Sequence, residues 1–179
     1  MNIQHSSHCD FWLTPLYILN RVHCVFEKVH LDPASDMHAN RRVGALNYLT
    51  VEQDALTTEW DCVDQNIWIN PPGGKVGNKS KAGLFWDRLV YYHPTFNHAI
   101  FLAFNLEALQ HTQQSRISMA QCTFCVPSKR IRFDLPSGLG QKSAPSHASA
   151  IIYLPGKIDA TKVFIETFND FGAICNKRK

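Results

Sequence analysis

Apolar positions in this chain fall first at helical spacing and then in short continuous runs. Leu16, Leu19, Val22 and Phe26, with His23 among them, recur every three or four residues. Thr14-Pro15 just before them supplies a natural N-cap and a proline suited to the first helical position, so a helix is predicted over residues 15–26. Four β-like runs follow at 29–31, 45–50, 66–70 and 99–104, the last being the strongest. Residues 82–92 read as a helix, 122–126 and 150–154 as two more strands, and 158–171 as a closing helix. Strands alternating with helices predict an α/β fold, a sheet with helices on its faces. Two stretches break the pattern: 73–81, rich in Gly, Lys, Asn and Ser, and 135–147, with two Pro, two Gly and three Ser. Both read as loops.

A length of 179 residues with 45% hydrophobic and 18% charged positions suits one domain over 1–179 with frayed termini. The net charge of +3 permits a nucleic-acid partner without requiring one. No stretch approaches the roughly 18 apolar residues of a membrane span, and the first residues carry no signal-type core, so no membrane association and a cytoplasmic setting are expected. The six cysteines are too sparse for a disulfide scaffold and read as thiols, mostly buried as small hydrophobes. Cys122 and Cys125 form a single C-x-x-C, but zinc would need a second ligand pair of comparable spacing, so no metal is expected.

In open α/β sheets ligands sit beyond the carboxyl ends of the strands. Three residues there can carry chemistry: Asp32 after the first run, Asp54 after the second, and Asn70 at the end of the third, and all three are expected to meet along one sheet edge. Each aspartate alone reads first as a turn former or helix cap, and neither by itself points to function. Asn70-Pro71-Pro72 is sharper. Each proline fixes φ and removes a donor, so the turn offers an amide oxygen and bare carbonyls on a stiff loop, an acceptor pocket for an NH₂ group. An amino group conjugated to a purine is a poor nucleophile. Two acceptors holding its hydrogens localise the nitrogen lone pair toward an electrophile held in line.

These motifs occur in an ordered series: Trp12-Leu13-Thr14-Pro15, Leu31-Asp32-Pro33-Ala34-Ser35, Tyr48-Leu49-Thr50, Asp54-Ala55-Leu56, Trp60, Asn70-Pro71-Pro72, Phe85-Trp86, and Pro127-Ser128-Lys129-Arg130-Ile131-Arg132-Phe133. The series resembles the phage-type DNA adenine methyltransferase (Dam) family over about residues 11–172. The resemblance implies a Rossmann-like S-adenosylmethionine-dependent methyltransferase fold, a compact and mostly parallel sheet flanked by helices. It implies a bacterial or phage-infected host cell, DNA as partner, and transfer of a methyl group to the 6-amino group of adenine, leaving S-adenosylhomocysteine. The oligomeric state is left open, a monomer included.

By the same resemblance Trp12, Thr14 and Pro15 lie against the cofactor, and Asp32, with Pro33, Ala34 and Ser35, holds its methionine amino or ribose end. Asp54 and Ala55 meet its adenine moiety. Asn70 and the Pro71 carbonyl grip the target amino group, with Pro72 stiffening the turn. No general base is demanded, because a sulfonium leaving group drives the step and the proton can depart afterwards.

The chain departs from the family in two places. No Gly-x-Gly follows Asp32, and the position after Asn-Pro-Pro, often aromatic for stacking on an extruded base, is Gly73. Phe85 or Trp86 is the candidate replacement platform, core packing being the alternative. Lys75, Lys79 and Lys81 suit phosphate contact, and Arg130 and Arg132, which would share one face of a strand, are second candidates, solvated surface charge being the alternative for all five. Two other functions stay open at this level: nucleic-acid binding on a decayed methyltransferase fold, and methylation of a different planar amide or amine such as a protein glutamine.

Overall fold

The structure, a computed structural model, describes residues 12–105, 121–135 and 147–176. Its elements in chain order are α1 (Leu16–Phe26), β1 (Leu31–Asp32), α2 (Met37–Val43), β2 (Asn47–Tyr48), β3 (Asn66–Ile69), β4 (Lys75–Val76), β5 (Lys79–Ser80), α3 (Lys81–Tyr92), β6 (His98–Ala103), β7 (Thr123–Pro127), β8 (Ala150–Pro155), α4 (Thr161–Phe168) and β9 (Gly172–Cys175). Seven strands form one sheet in the order β2-β1-β3-β6-β8-β7-β9, and β4 and β5 make a separate hairpin. The first four pair in parallel, and β8 then runs antiparallel to both of its neighbours, as does β9 to β7. Five of the seven strands therefore point the same way, which with the flanking helices is the Rossmann-like arrangement expected.

The central strands β3, β6 and β8 are buried on both faces, and for that reason read in sequence as unbroken apolar runs. Alternation survives in where the side chains go. Ile67, Ile69, Ala99, Phe101, Ile152 and Leu154 pack with Phe85, Trp86 and Leu89 of α3, whereas Trp68, Ile100, Leu102, Ile151 and Tyr153 pack with α1 and α4. The core is thus two apolar layers with the sheet between them.

Several elements differ from expectation. The first helix begins at Leu16 because Pro15 is the N-cap, leaving the Thr14 side chain free for another task. Residues 73–81 are not a plain loop: Lys75 pairs with Ser80 and Val76 with Lys79 around Gly77, whose φ of 58° suits a tight reversal. The closing helix is shorter than 158–171, since β9 pairs with β7 immediately after it. The helix α2 escapes the apolar pattern because only Val43 in it is buried. It starts on Asp36, whose carboxylate accepts from His38 N at 2.6 Å and Ala39 N at 2.8 Å. Of the loop read at 135–147, only the two end residues lie within the described residues. Cys62, Cys122 and Cys125 are buried, and Cys24 and Cys175 are exposed. No helix among the described residues is long and apolar enough to cross a membrane.

Candidate active site

The chain leaves β1 toward β2 on one side and comes back to β3 on the other, which opens a crevice at the carboxyl ends of β1 and β3, the position where such sheets hold ligands. Asp32 is the last residue of β1, and Asn70 directly follows β3. Leu31 pairs with Ile67, so Asp32 lies level with Trp68. Asn70 stands two residues, about 7 Å, further out.

Asp32 is 2% exposed, and its Oδ1 accepts the Ala34 N–H at 3.0 Å. Burial pushes its carboxyl up to about 7, against the opposing pull of the Ala34 N–H and the Ser35 hydroxyl. The Pro33-Ala34-Ser35 turn is fixed from β2: Leu49 N donates to Asp32 O and Ser35 N to Leu49 O, both at 3.0 Å. A stiff turn with a buried acid thus stands where a glycine-rich loop was missing from the sequence.

Asn70 is half-buried, Pro71 buried and Pro72 half-buried. The Asn70 amide Nδ2 donates to the Trp12 carbonyl at 3.2 Å and to Thr14 Oγ1 at 3.1 Å. Residues 12–14 form a strap held on its other side too. Leu13 and Asp134 exchange backbone hydrogen bonds at 2.9 and 3.0 Å, and the Asp134 carboxylate meets Arg42 of α2 at 2.7 Å. Sequence reading missed Asp134 and Arg42. The only available signal was the position of Asp134 at the end of the Arg130-Ile131-Arg132-Phe133 segment.

Asp54 lies in the turn between β2 and β3, exposed, with φ of 44°. Its Oδ1 accepts Leu56 N at 3.2 Å and its Oδ2 the Thr57 hydroxyl at 3.2 Å. Its neighbour Ala55 is buried in the apolar layer on the α3 side of the sheet, and its carbonyl accepts from Trp60 Nε1 at 2.8 Å, whereas Asp54 itself makes its contacts within its own turn.

Two expectations are corrected. Phe85 and Trp86 are both in the core, 6% and 0% exposed, so neither offers a ring to a base. Trp86 packs edge-on to Phe101 with centroids 5.2 Å apart, and Phe85 faces Trp60 at 6.4 Å, because the sheet takes up this whole face of α3. Residues 130–133 are not a strand, although burial still alternates: Ile131 is buried while Arg130 and Arg132 are exposed. Both arginines, with Lys129, line a groove beside Pro15 and Asp134. Lys75 and Lys79 are exposed on the β4–β5 hairpin, and Lys81 is half-buried at the start of α3. Gly73 has open space around its Cα and a φ outside the left-handed region, so backbone geometry does not call for glycine there.

A buried acid and a hydrogen-bonded carboxamide thus stand on adjacent strand ends at the switch point of a Rossmann-like sheet, the place where α/β proteins of this class bind their ligands. Comparison with protein families makes this specific. The chain belongs to the DNA N-6-adenine-methyltransferase (Dam) family, whose model matches residues 2–169. It is a DNA adenine methyltransferase, the first of the three functions the sequence left open. No curated protein matches the chain.

Proposed function

We propose that the methyl donor is S-adenosylmethionine, held in the crevice between β1 and β3, and that Asn70 and the Pro71 carbonyl present the adenine 6-amino group to it. The observation that carries this reading is the Asn70 amide. With Nδ2 turned onto Trp12 and Thr14, its Oδ1 is left as the acceptor.

The residues present fit such a donor. Asp32 is a buried carboxyl whose charge is disfavoured by burial, and a cationic or hydroxyl-bearing group beside it would restore the ionised form. In this reading Asp32 holds the methionine amino or ribose end, and the Pro33-Ala34-Ser35 turn shapes that end of the crevice. Asp54 and Ala55 border the adenine moiety, and Trp12, Thr14 and Pro15 close the opposite wall. When bound, the sulfonium supplies an activated methyl group and a good leaving group.

The protein's own part is positional. Asn70 Oδ1 and the Pro71 carbonyl accept the two amino hydrogens and turn the nitrogen lone pair toward the methyl carbon, while Pro71 and Pro72 keep the turn stiff. A base within a duplex must leave the stack to reach this turn. Lys75, Lys79 and Lys81 beside it, with Arg130 and Arg132 along the groove, are suited to hold the flanking phosphates. The setting is where DNA is met, a bacterial cytoplasm or an infected cell.

Incubation with methyl-labelled S-adenosylmethionine and unmethylated genomic DNA, followed by nucleoside analysis, should place the label in N6-methyl-2′-deoxyadenosine. Asn70→Ala should lower the rate about 100-fold or more while leaving cofactor affinity within about twofold. Full activity in Asn70→Ala, or label in cytosine, would overturn the assignment.

A further inference from the structure

A carboxamide can stand two ways round, and only one of them presents an acceptor to an amino group. The other would set NH₂ against NH₂, donor facing donor. In this protein Asn70 Nδ2 donates to two acceptors, the Trp12 carbonyl at 3.2 Å and Thr14 Oγ1 at 3.1 Å. Thr14 is 5% exposed, so bulk water does not compete freely for its hydroxyl. The strap that carries both acceptors is itself fixed by the Leu13–Asp134 pairing and the Asp134–Arg42 ion pair. The Trp12 carbonyl has no proton to give, so it accepts an amide N–H and repels an amide oxygen.

We propose that Thr14 and the Trp12 carbonyl form a clamp that sets which way round the Asn70 carboxamide stands, making Thr14 a positioning residue for methyl transfer. The clamp also makes asparagine the fitting residue at position 70. An ionised aspartate would place an oxygen against the Trp12 carbonyl, acceptor facing acceptor, with only the Thr14 hydroxyl able to donate to it. The proposal rests on the reading of Asn70 as the acceptor for the adenine amino group. It gives Thr14 a task separate from lying against the cofactor.

The test compares Thr14→Ser, which keeps the hydroxyl, with Thr14→Val, which keeps the shape and removes it. Thr14→Ala is a third variant should valine lower the melting temperature. At saturating cofactor and DNA, where any loss of wall contact with the cofactor is made up by concentration, Thr14→Val and Thr14→Ala should lose about tenfold or more in kcat, and Thr14→Ser should stay within about threefold of wild type. In 15N-labelled protein the Asn70 side-chain amide signals, identified by their loss in Asn70→Ala, should shift in Thr14→Val and return near the wild-type position in Thr14→Ser. An unchanged kcat and unchanged amide signals in Thr14→Val would overturn the clamp. So would a weakened cofactor Kd with kcat and the amide signals intact, which would leave Thr14 as a cofactor contact only. A wild-type protein that puts no label on adenine would instead sink the reading of Asn70 itself, so the two failures are distinguishable.

Discussion

Asp32 is the residue whose charge state the fold leaves most finely balanced. Its carboxyl stands at about 7, against 3.8 for the ordinary group, because burial outweighs the backbone N–H and the hydroxyl that favour its charge. If the cationic cofactor binds beside it, as proposed, ionisation is favoured and binding below that value releases a proton. Affinity for S-adenosylmethionine should therefore rise by up to about tenfold per pH unit between pH 5.5 and 7 and level off above. Asp32→Asn should bind more weakly with a flat profile. Calorimetry in two buffers of different ionisation enthalpy measures the released proton directly, and a wild-type Kd that ignores pH over this range would remove Asp32 from the cofactor site.

At the scale of elements, the β4–β5 hairpin follows the Asn-Pro-Pro turn and carries Lys75 and Lys79 exposed. If it holds backbone phosphates, Lys75→Gln and Lys79→Gln should each reduce the slope of log affinity for DNA against log salt by about one, with cofactor Kd unchanged. Salt titration by fluorescence anisotropy reads this, and unaltered slopes would assign both lysines to solvated surface.

This hairpin also marks the limit of what local sequence reveals. The first helix and strands β3, β6 and β8 are legible because their apolar spacing or runs follow from burial. The hairpin is two largely exposed two-residue strands with no burial pattern to mark it, α2 buries only Val43, and β9 is short and pairs with β7, far away in the chain. Asp32 and Asn70 are legible as strand-end residues. The Thr14 hydroxyl is not, since its bond to Asn70 spans 56 positions and Thr14 looks locally like a helix cap. Phe85 and Trp86 mislead for a related reason. Their aromatic rings invite a stacking role, and only the sheet packed against α3 decides that both face inward.

For the molecule as a whole, two buried groups pull its pH response in opposite directions. His98 is 4% exposed, lies 4.5 Å from the Phe26 ring between centroids, and stands 3.2 Å from the Tyr153 hydroxyl through Nδ1. Burial, with a smaller contribution from nearby His30, pushes it down to about 4, from 6.5. In that window the unfolded chain takes up a proton that the native protein refuses, so the contribution of His98 to stability is full above 6.5 and drains as the pH falls toward 4. Asp32 runs the other way. Its native form keeps a proton the unfolded chain has lost, so its contribution is full below 3.8 and drains as the pH rises toward 7.

The two slopes, each at most about 1.4 kcal/mol per pH unit, oppose one another between pH 4 and 6.5. His98→Phe removes one of them. Relative to wild type, its melting temperature should therefore gain as the pH is lowered from 6.5 to 4.5. Parallel pH profiles for the two proteins would show that His98 does not titrate with unfolding.

The strap over Asn70 has a consequence for the order of events in synthesis. A chain is made from its N-terminus, so residues 12–14 emerge first, Asn70 follows, and Asp134 comes only when most of the polypeptide exists. Until then the Leu13–Asp134 pairing is missing, and the strap that carries the partners of the Asn70 amide is held from one side only. A nascent chain that has already paired β1 with β3 therefore still lacks the pairing that fixes its strap, and β8, which stands between β6 and β7 in the sheet, comes later still.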